Sequence, residues 1–365
     1  MVAQRLLALR GLCWACPSQA LHLTQSHLTW LPEVRVTSFG IKLALFCLPV
    51  CSVVVAAAAP PPAPFSARAA IPANANWIAY VRLVSAKGSP SAATGPVLDI
   101  ERSPQFKQLA KVCRTHLGIR IEHNVQALTI FGTTVGPGGK GVFAIGTTAK
   151  PRTIIAALKG DKGVKVLSYD GINIYKFNAQ AQHSPGQPPI YVSVPKPGLV
   201  LGSRNKSLFE DSLNCVLGVS KPKPPQSALF SHMPENAIGY VCLTHVQQLI
   251  DKVQNPLDVP PPVRKVKSIW LAIAPGPGGY LVQGKFSMLS PVAAMQTGNQ
   301  LRNFQRIFIN RASGANANDH QMVMAGLIHR LKITNVRSQV LIHWSLPRRM
   351  LRSAAATWHK GAPKP

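Results

Sequence analysis

The sequence predicts an α+β fold of two related units, each a largely antiparallel sheet with helices on one face. Three observations predict it. The 365 residues are 46% apolar, which supports a sizeable core without disulfide or metal staples and excludes wholesale disorder. Short alternating runs of strand period interleave with helical-period runs, punctuated by Gly and Pro,. Finally, two sequence markers recur in the same order, as a tandem duplication would leave them.

The first marker is Pro72-Ala-Asn-Ala-Asn-Trp-Ile-Ala-Tyr-Val-Arg-Leu83, which returns as Pro234-Glu-Asn-Ala-Ile-Gly-Tyr-Val-Cys-Leu243. The second is an apolar strand followed by Gly136-Pro-Gly-Gly139, echoed by a similar strand and Gly276-Pro-Gly-Gly279. Chance can produce either one alone. Together they divide the chain into a leader at 1–70, a first unit at 71–220, a linker at 221–233, a second unit at 234–346 and a basic tail at 347–365.

The leader carries Arg5, Arg10, Arg35 and Lys42 ahead of an uncharged run from Leu43 to Ala59. A basic n-region, an apolar h-region and the small residues that follow it fit a signal peptide, so export to the periplasm or cell envelope is predicted. Seventeen apolar residues also reach the short limit for a bilayer span,. An uncleaved signal anchor through 41–59 is therefore the alternative, and a start site assigned too early would explain the long n-region.

In the first unit, Ile78 to Val84 alternates as a strand. Ser103 caps a helix opened by Pro104, whose apolar face (Phe106, Leu109, Cys113, Leu117) ends at Gly118,. Val125–Thr133 and Gly141–Thr147 form a hairpin, and Pro151–Lys159 a short helix. Strands Val164–Ser168 and Ile172–Phe177 meet at Asp170-Gly171, a pair suited to a primed turn,. Strands Ile190–Val194 and Leu199–Gly202 precede a helix from Ser207 to Leu217 stopped by Gly218. Lys221-Pro-Lys-Pro-Pro225 reads as a stiff linker, because each Pro fixes φ.

The second unit follows with a helix at Thr244–Val253, a hairpin over Ile269–Met288 and a helix capped by Ser290 and Pro291 to about Ile309. Another helix near His320–Leu331 and a strand at Val340–Trp344 complete it,.

Charge is the outlying quantity: 40 Lys and Arg against 12 Asp and Glu give a net charge of +28. Residues 1–59 hold four of those bases and one acid, so the bias belongs to the body. Such a field attracts polyanions. Two places concentrate it: the outer face of the first helix, with Lys107, Lys111 and Arg114, and the region from Arg302 onward, with Arg306, Arg348, Arg349 and Arg352 among eleven bases and the single acid Asp319. These residues are the candidate anion-binding surface, with an anionic polymer or an anionic lipid surface as partner and nucleic acid as the alternative.

Catalytic and metal chemistry finds no local motif. Gly136-Pro-Gly-Gly-Lys140 lacks the Ser or Thr of a phosphate loop and joins two strands, where such a loop needs a strand-to-helix turn,. His116 with His123, and His232 with His245, have no Cys or carboxylate at ligand spacing,. Asp99/Glu101 and Glu210/Asp211 are the only close acidic pairs, and no Gly-x-Ser-x-Gly elbow exists,. Cys13-Trp-Ala-Cys16 lies in the leader, while Cys113, Cys215 and Cys242 read as buried thiols,. No catalytic residue, cofactor or metal is predicted.

Taken in order, the Asn76-Trp-Ile-Ala-Tyr-Val81 opening, the Ser103-Pro104 helix, the Gly136-Pro-Gly-Gly139 hairpin, the Tyr169-Asp-Gly171 hairpin, the helix start at Ser203-Arg-Asn-Lys-Ser-Leu-Phe209 and the strand Leu331-Lys-Ile-Thr334 resemble an exported protein family of planctomycete-type bacteria. The likeness is one of layout over residues 70–346. It implies export and a duplicated α+β body, and it supplies no catalytic residue. The expected function is thus that of a non-enzymatic exported or membrane-anchored envelope protein binding an anionic partner. The alternatives are an intracellular nucleic-acid or polyanion binder and an enzyme without a local motif.

Overall fold

The computed structural model describes residues 67–83, 104–134, 140–161, 163–177, 188–224, 227–250, 263–314 and 317–360. Residues 1–66 of the expected leader, the Ser103 cap and the Gly136–Gly139 loop lie outside them. The described chain is a mixed α and β protein with extensive antiparallel sheet, and it divides into two compact units, residues 67–231 and 232–360.

The first unit runs β1 (Trp77–Arg82), α1 (Pro104–Leu117), α2 (Ile121–Asn124), β2 (Val125–Gly132), β3 (Gly141–Thr147), α3 (Pro151–Gly160), β4 (Val164–Tyr169), β5 (Ile172–Phe177), β6 (Ile190–Lys196), β7 (Leu199–Ser203) and α4 (Lys206–Leu217). Its strands lie in the order β1-β2-β3-β7-β6-β5-β4, and the neighbouring pairs are antiparallel. Local chemistry sets the boundaries. Asp170 and Gly171 both take positive φ, 45° and 78°, as a primed two-residue turn between right-twisted strands demands. The Asn205 side chain accepts from Leu208 N at 2.8 Å to open α4, and Gly218 at φ 78° closes it,.

Helices cover both faces of this sheet, which corrects the expectation of helices on one face. On one side α1 and α3 pack Cys113, Leu117, Ile154 and Leu158 against Ile145, Val192 and Val200. On the other, Tyr191 (the strand neighbour of Val192, pointing the opposite way) meets Phe209 of α4 with ring centroids 6.1 Å apart,. Strand β7 is consequently buried at all its positions, as a strand between two helical layers must be,.

The predicted linker is tied to this unit. Lys223 N donates to Ile71 O at 2.7 Å, and its ammonium donates to the carbonyls of Ala73 and Ala75.

The second unit runs β8 (Gly239–Leu243), α5 (Val246–Ile250), β9 (Val266–Gly276), β10 (Gly279–Met288), α6 (Pro291–Ala312), α7 (Asp319–His329), β11 (Leu331–Val336), β12 (Gln339–Pro347) and α8 (Arg348–Lys360). Its order is β8-β9-β10-β12-β11, again antiparallel. Pro277-Gly278 closes the β9–β10 hairpin, with Gly278 at φ 70° in a position where a side chain would be strained,. Ser290 caps α6 by accepting from Ala293 N, and Asn318 with Gln321 forms a capping box on α7,.

Here the described helices share one face. Ala293 and Ala294 of α6 pack with Ile269, Met288 and Val340, and Trp344 donates its indole N–H to Leu327 O of α7 at 2.6 Å. Met350 of α8 lies against Gly326 of α7, so close that a Cβ there would come within 2.7 Å of its methyl. The stretch set apart as a basic tail thus begins as helix α8. Among the described residues, no helix is long and apolar enough to cross a membrane.

Candidate anion-binding surface

The sequence-selected cations occupy three helices. On α1, Lys111 and Arg114 are exposed on the side away from buried Cys113 and Leu117, while the Lys107 side chain lies outside the described set. On α6, Arg302 donates to Ile333 O at 3.1 Å and to Asn299 Oδ1 at 2.7 Å, so its guanidinium is spent pinning the helix to β11. Arg306 donates to Asn303 Oδ1 at 2.9 Å from an exposed position. On α8, the Arg348 guanidinium lies 5.9 Å from the Tyr280 ring centre, a cation–π contact, and Arg349 and Arg352 are exposed,. Arg302 and Arg348 therefore serve the fold, whereas Lys111, Arg114, Arg306, Arg349 and Arg352 face water.

A second group of cations comes from sheet register. Because side chains alternate across a strand, Lys285 (β10), Leu341 (β12) and Thr334 (β11) form one lateral row on the helix-free face of the second sheet, and Gln283, His343 and Lys332 form the next,. Lys332, Thr334 and His343 are exposed and Lys285 and Gln283 half-buried, and none of these strands contributes a carboxylate. Lys285 and Lys332 stand two strands apart, about 10 Å across the sheet and about 7 Å along it.

At the edge of these rows the His232 ring stacks on Trp270, centroids 4.9 Å apart and 20° between planes. Lys285 Nζ lies 2.9 Å from His232 Nε2 and donates to it, so that nitrogen carries a lone pair and the ring is neutral,. Burial, and secondly the Lys285 charge, hold the His232 pKa below its ordinary value,. Deeper on the same face, burial raises the Tyr240 hydroxyl and pushes the Cys242 thiol up to about 11. A protonated thiol at neutral pH is a poor nucleophile.

One acid–base pair escaped the sequence reading. His116 Nδ1 lies 2.7 Å from Asp161 Oδ2, with side-chain exposures of 4% and 10%, tying the end of α1 to the end of α3. The residues are 45 apart in sequence, so no local spacing could announce them. Their burial withholds them from any substrate. Among the described residues, no group of three His, Cys, Asp or Glu forms that would hold a metal. For the sheet cations a signal did exist: Gln283-Gly-Lys285, Lys332-Ile-Thr334 and His343-Trp-Ser345 each place polar residues two apart, the mark of a wet strand face. That three such strands adjoin is a matter of register, which the sequence does not state.

Comparison with known proteins returned no matching family model and no matching curated protein. Among solved structures, crystal forms I and III of TP0453 match at 11% identity with TM-scores of 0.39 and 0.40, over 82% of this chain and 98% and 99% of theirs.

Proposed function

We propose that this chain is an exported, non-enzymatic envelope protein that binds an anionic partner through its uncompensated cationic surface. The observation that carries the reading is stoichiometric and spatial at once. Twelve carboxylates cannot neutralise forty cations, and the ion pairs formed between described residues engage Asp161 with His116 and Glu210 with Lys206. Exposed cations on α1, α6, α8 and the second sheet are therefore available to polyanions. Export rests on the basic and apolar leader and on the layout shared with exported planctomycete-type proteins.

Descent of the two units from one duplicated ancestor belongs to the same proposal, and strand order supports it. Setting aside the β4–β5 hairpin, β1-β2-β3-β7-β6 and β8-β9-β10-β12-β11 trace the same path, and the Tyr80 and Tyr240 of the recurring marker are both buried, in β1 and β8.

Salt titration of binding to a polyanion tests the charge reading, with polyphosphate as the probe. Affinity should fall at least about tenfold between roughly 50 and 200 mM salt, as counterion release requires. A flat response overturns it. For export, the mature N-terminus read by mass spectrometry should lie beyond residue 59 or remain in a membrane fraction, and an intact Met1 in a cytosolic fraction overturns it.

A further inference from the structure

We infer that the helix-free face of the second sheet is the docking surface for an acidic polysaccharide, a deepening that rests on the proposed cationic function. The face has what such a polymer needs. Lys285 and Lys332 supply two point charges about 10 Å apart laterally, with His343 in the row of Lys332. Gln283 and Thr334 supply an amide and a hydroxyl beside them, groups that exchange hydrogen bonds with sugar hydroxyls,. None of the residues that form strands β8 to β12 is a carboxylate, so on the sheet itself the charge complementarity is one-sided.

The same face argues against other polyanions. A single-stranded nucleic acid needs open aromatic faces on which bases stack. Trp270 already carries the His232 ring on one of its faces, and Gln283, Lys285, Thr334, Lys332 and His343 include no aromatic side chain besides the imidazole. An anionic membrane favours apolar side chains beside the cations, yet of these three strands only Val336, at the turn end of β11, is a large apolar residue with substantial exposure, 45%. A polar, cationic sheet face suits an extended, hydroxyl-rich polymer that lies across it.

The test titrates the full mature chain with polygalacturonate, with neutral dextran and with an oligothymidylate. Two double variants are compared: Lys285→Gln/Lys332→Gln on the sheet, and Arg349→Gln/Arg352→Gln on α8. Unfolding curves matching the parent show that both variants are folded. The expected result is polygalacturonate binding weakened about tenfold or more by the sheet pair and less than about threefold by the helix pair, with no binding to dextran. Equal losses from the two pairs overturn this face as the site and leave the general cationic reading standing. Oligothymidylate bound more tightly than polygalacturonate, and lost in the sheet variant, overturns the polysaccharide as occupant. Absence of salt-dependent binding to either polyanion overturns the proposed function and this inference together.

Discussion

In the first unit β7 is buried at all five positions, whereas in the second its counterpart β12 buries two of nine. Both strands stand fourth in the same five-strand order, so the contrast comes from what packs on them. Helix α4 leaves β7 after two residues, Arg204 and Asn205, and lies on the face opposite α1 and α3. Helix α8 follows β12 directly, at Arg348, and lies with α6 and α7, held by Met350 against Gly326 and by Arg348 over Tyr280. One sheet thereby becomes a closed three-layer core. The other keeps a polar, cationic face.

The largest expected effect tests the closed side of this contrast. Phe209→Ala in α4 removes a fully buried ring packed on Tyr191 and should cost about 4 kcal/mol in urea unfolding. Leu341→Ala on the open face of the second sheet should cost less than about 1 kcal/mol. Similar losses at the two positions would erase the distinction between closed and open faces.

Next in size, Asp161→Ala removes the buried partner of His116 Nδ1 and should destabilise the α1–α3 layer by about 2 kcal/mol, because a buried imidazole nitrogen is left without a hydrogen bond,. A loss under about 1 kcal/mol would mean that this layer does not depend on the pair.

A smaller effect of opposite sign separates the two final hairpins. The β6–β7 turn places Gly198 at φ 82°, whereas the β11–β12 turn holds Arg337 at φ 51°. Arg337→Gly should therefore stabilise the chain by about 1 kcal/mol in thermal unfolding, and no gain would show that the arginine side chain compensates its backbone strain.

The smallest effect is one of pH. His232 binds its proton less readily when folded than when unfolded, where its ordinary value is 6.5. Below that pH the unfolded state takes up more protons than the folded one. Stability should therefore decline as pH falls from 6.5 through the lowered value, and His232→Gln should flatten this segment of the profile. An unchanged slope would remove the His232–Lys285 contact as its source.

Legibility in the sequence followed the range of the forces involved. The cap at Ser290, the Asp170-Gly171 turn and the stops at Gly118 and Gly218 were readable because each acts within a few residues. Helix α8 was missed, since a run rich in arginine at the chain's end carries no capping signal at Arg348. The His116–Asp161 pair and the Lys285–Leu341–Thr334 row were invisible for another reason: each joins residues brought together only by the packing of helices or the register of strands. Of the predicted cations, Lys111, Arg114, Arg306, Arg349 and Arg352 do face solvent, while Arg302 and Arg348 have roles in packing that charge alone could not reveal.

By itself the chain's order of residues determined its charge excess, its strand and helix segments and most of their ends, because those follow from composition, periodicity and short-range hydrogen bonding. Only the tertiary structure decided that the described helices cover both faces of one sheet and a single face of the other. That choice turns on the side to which a terminal helix folds back, and it is settled by the apolar area each face offers the helix, a sum over residues from distant parts of the chain.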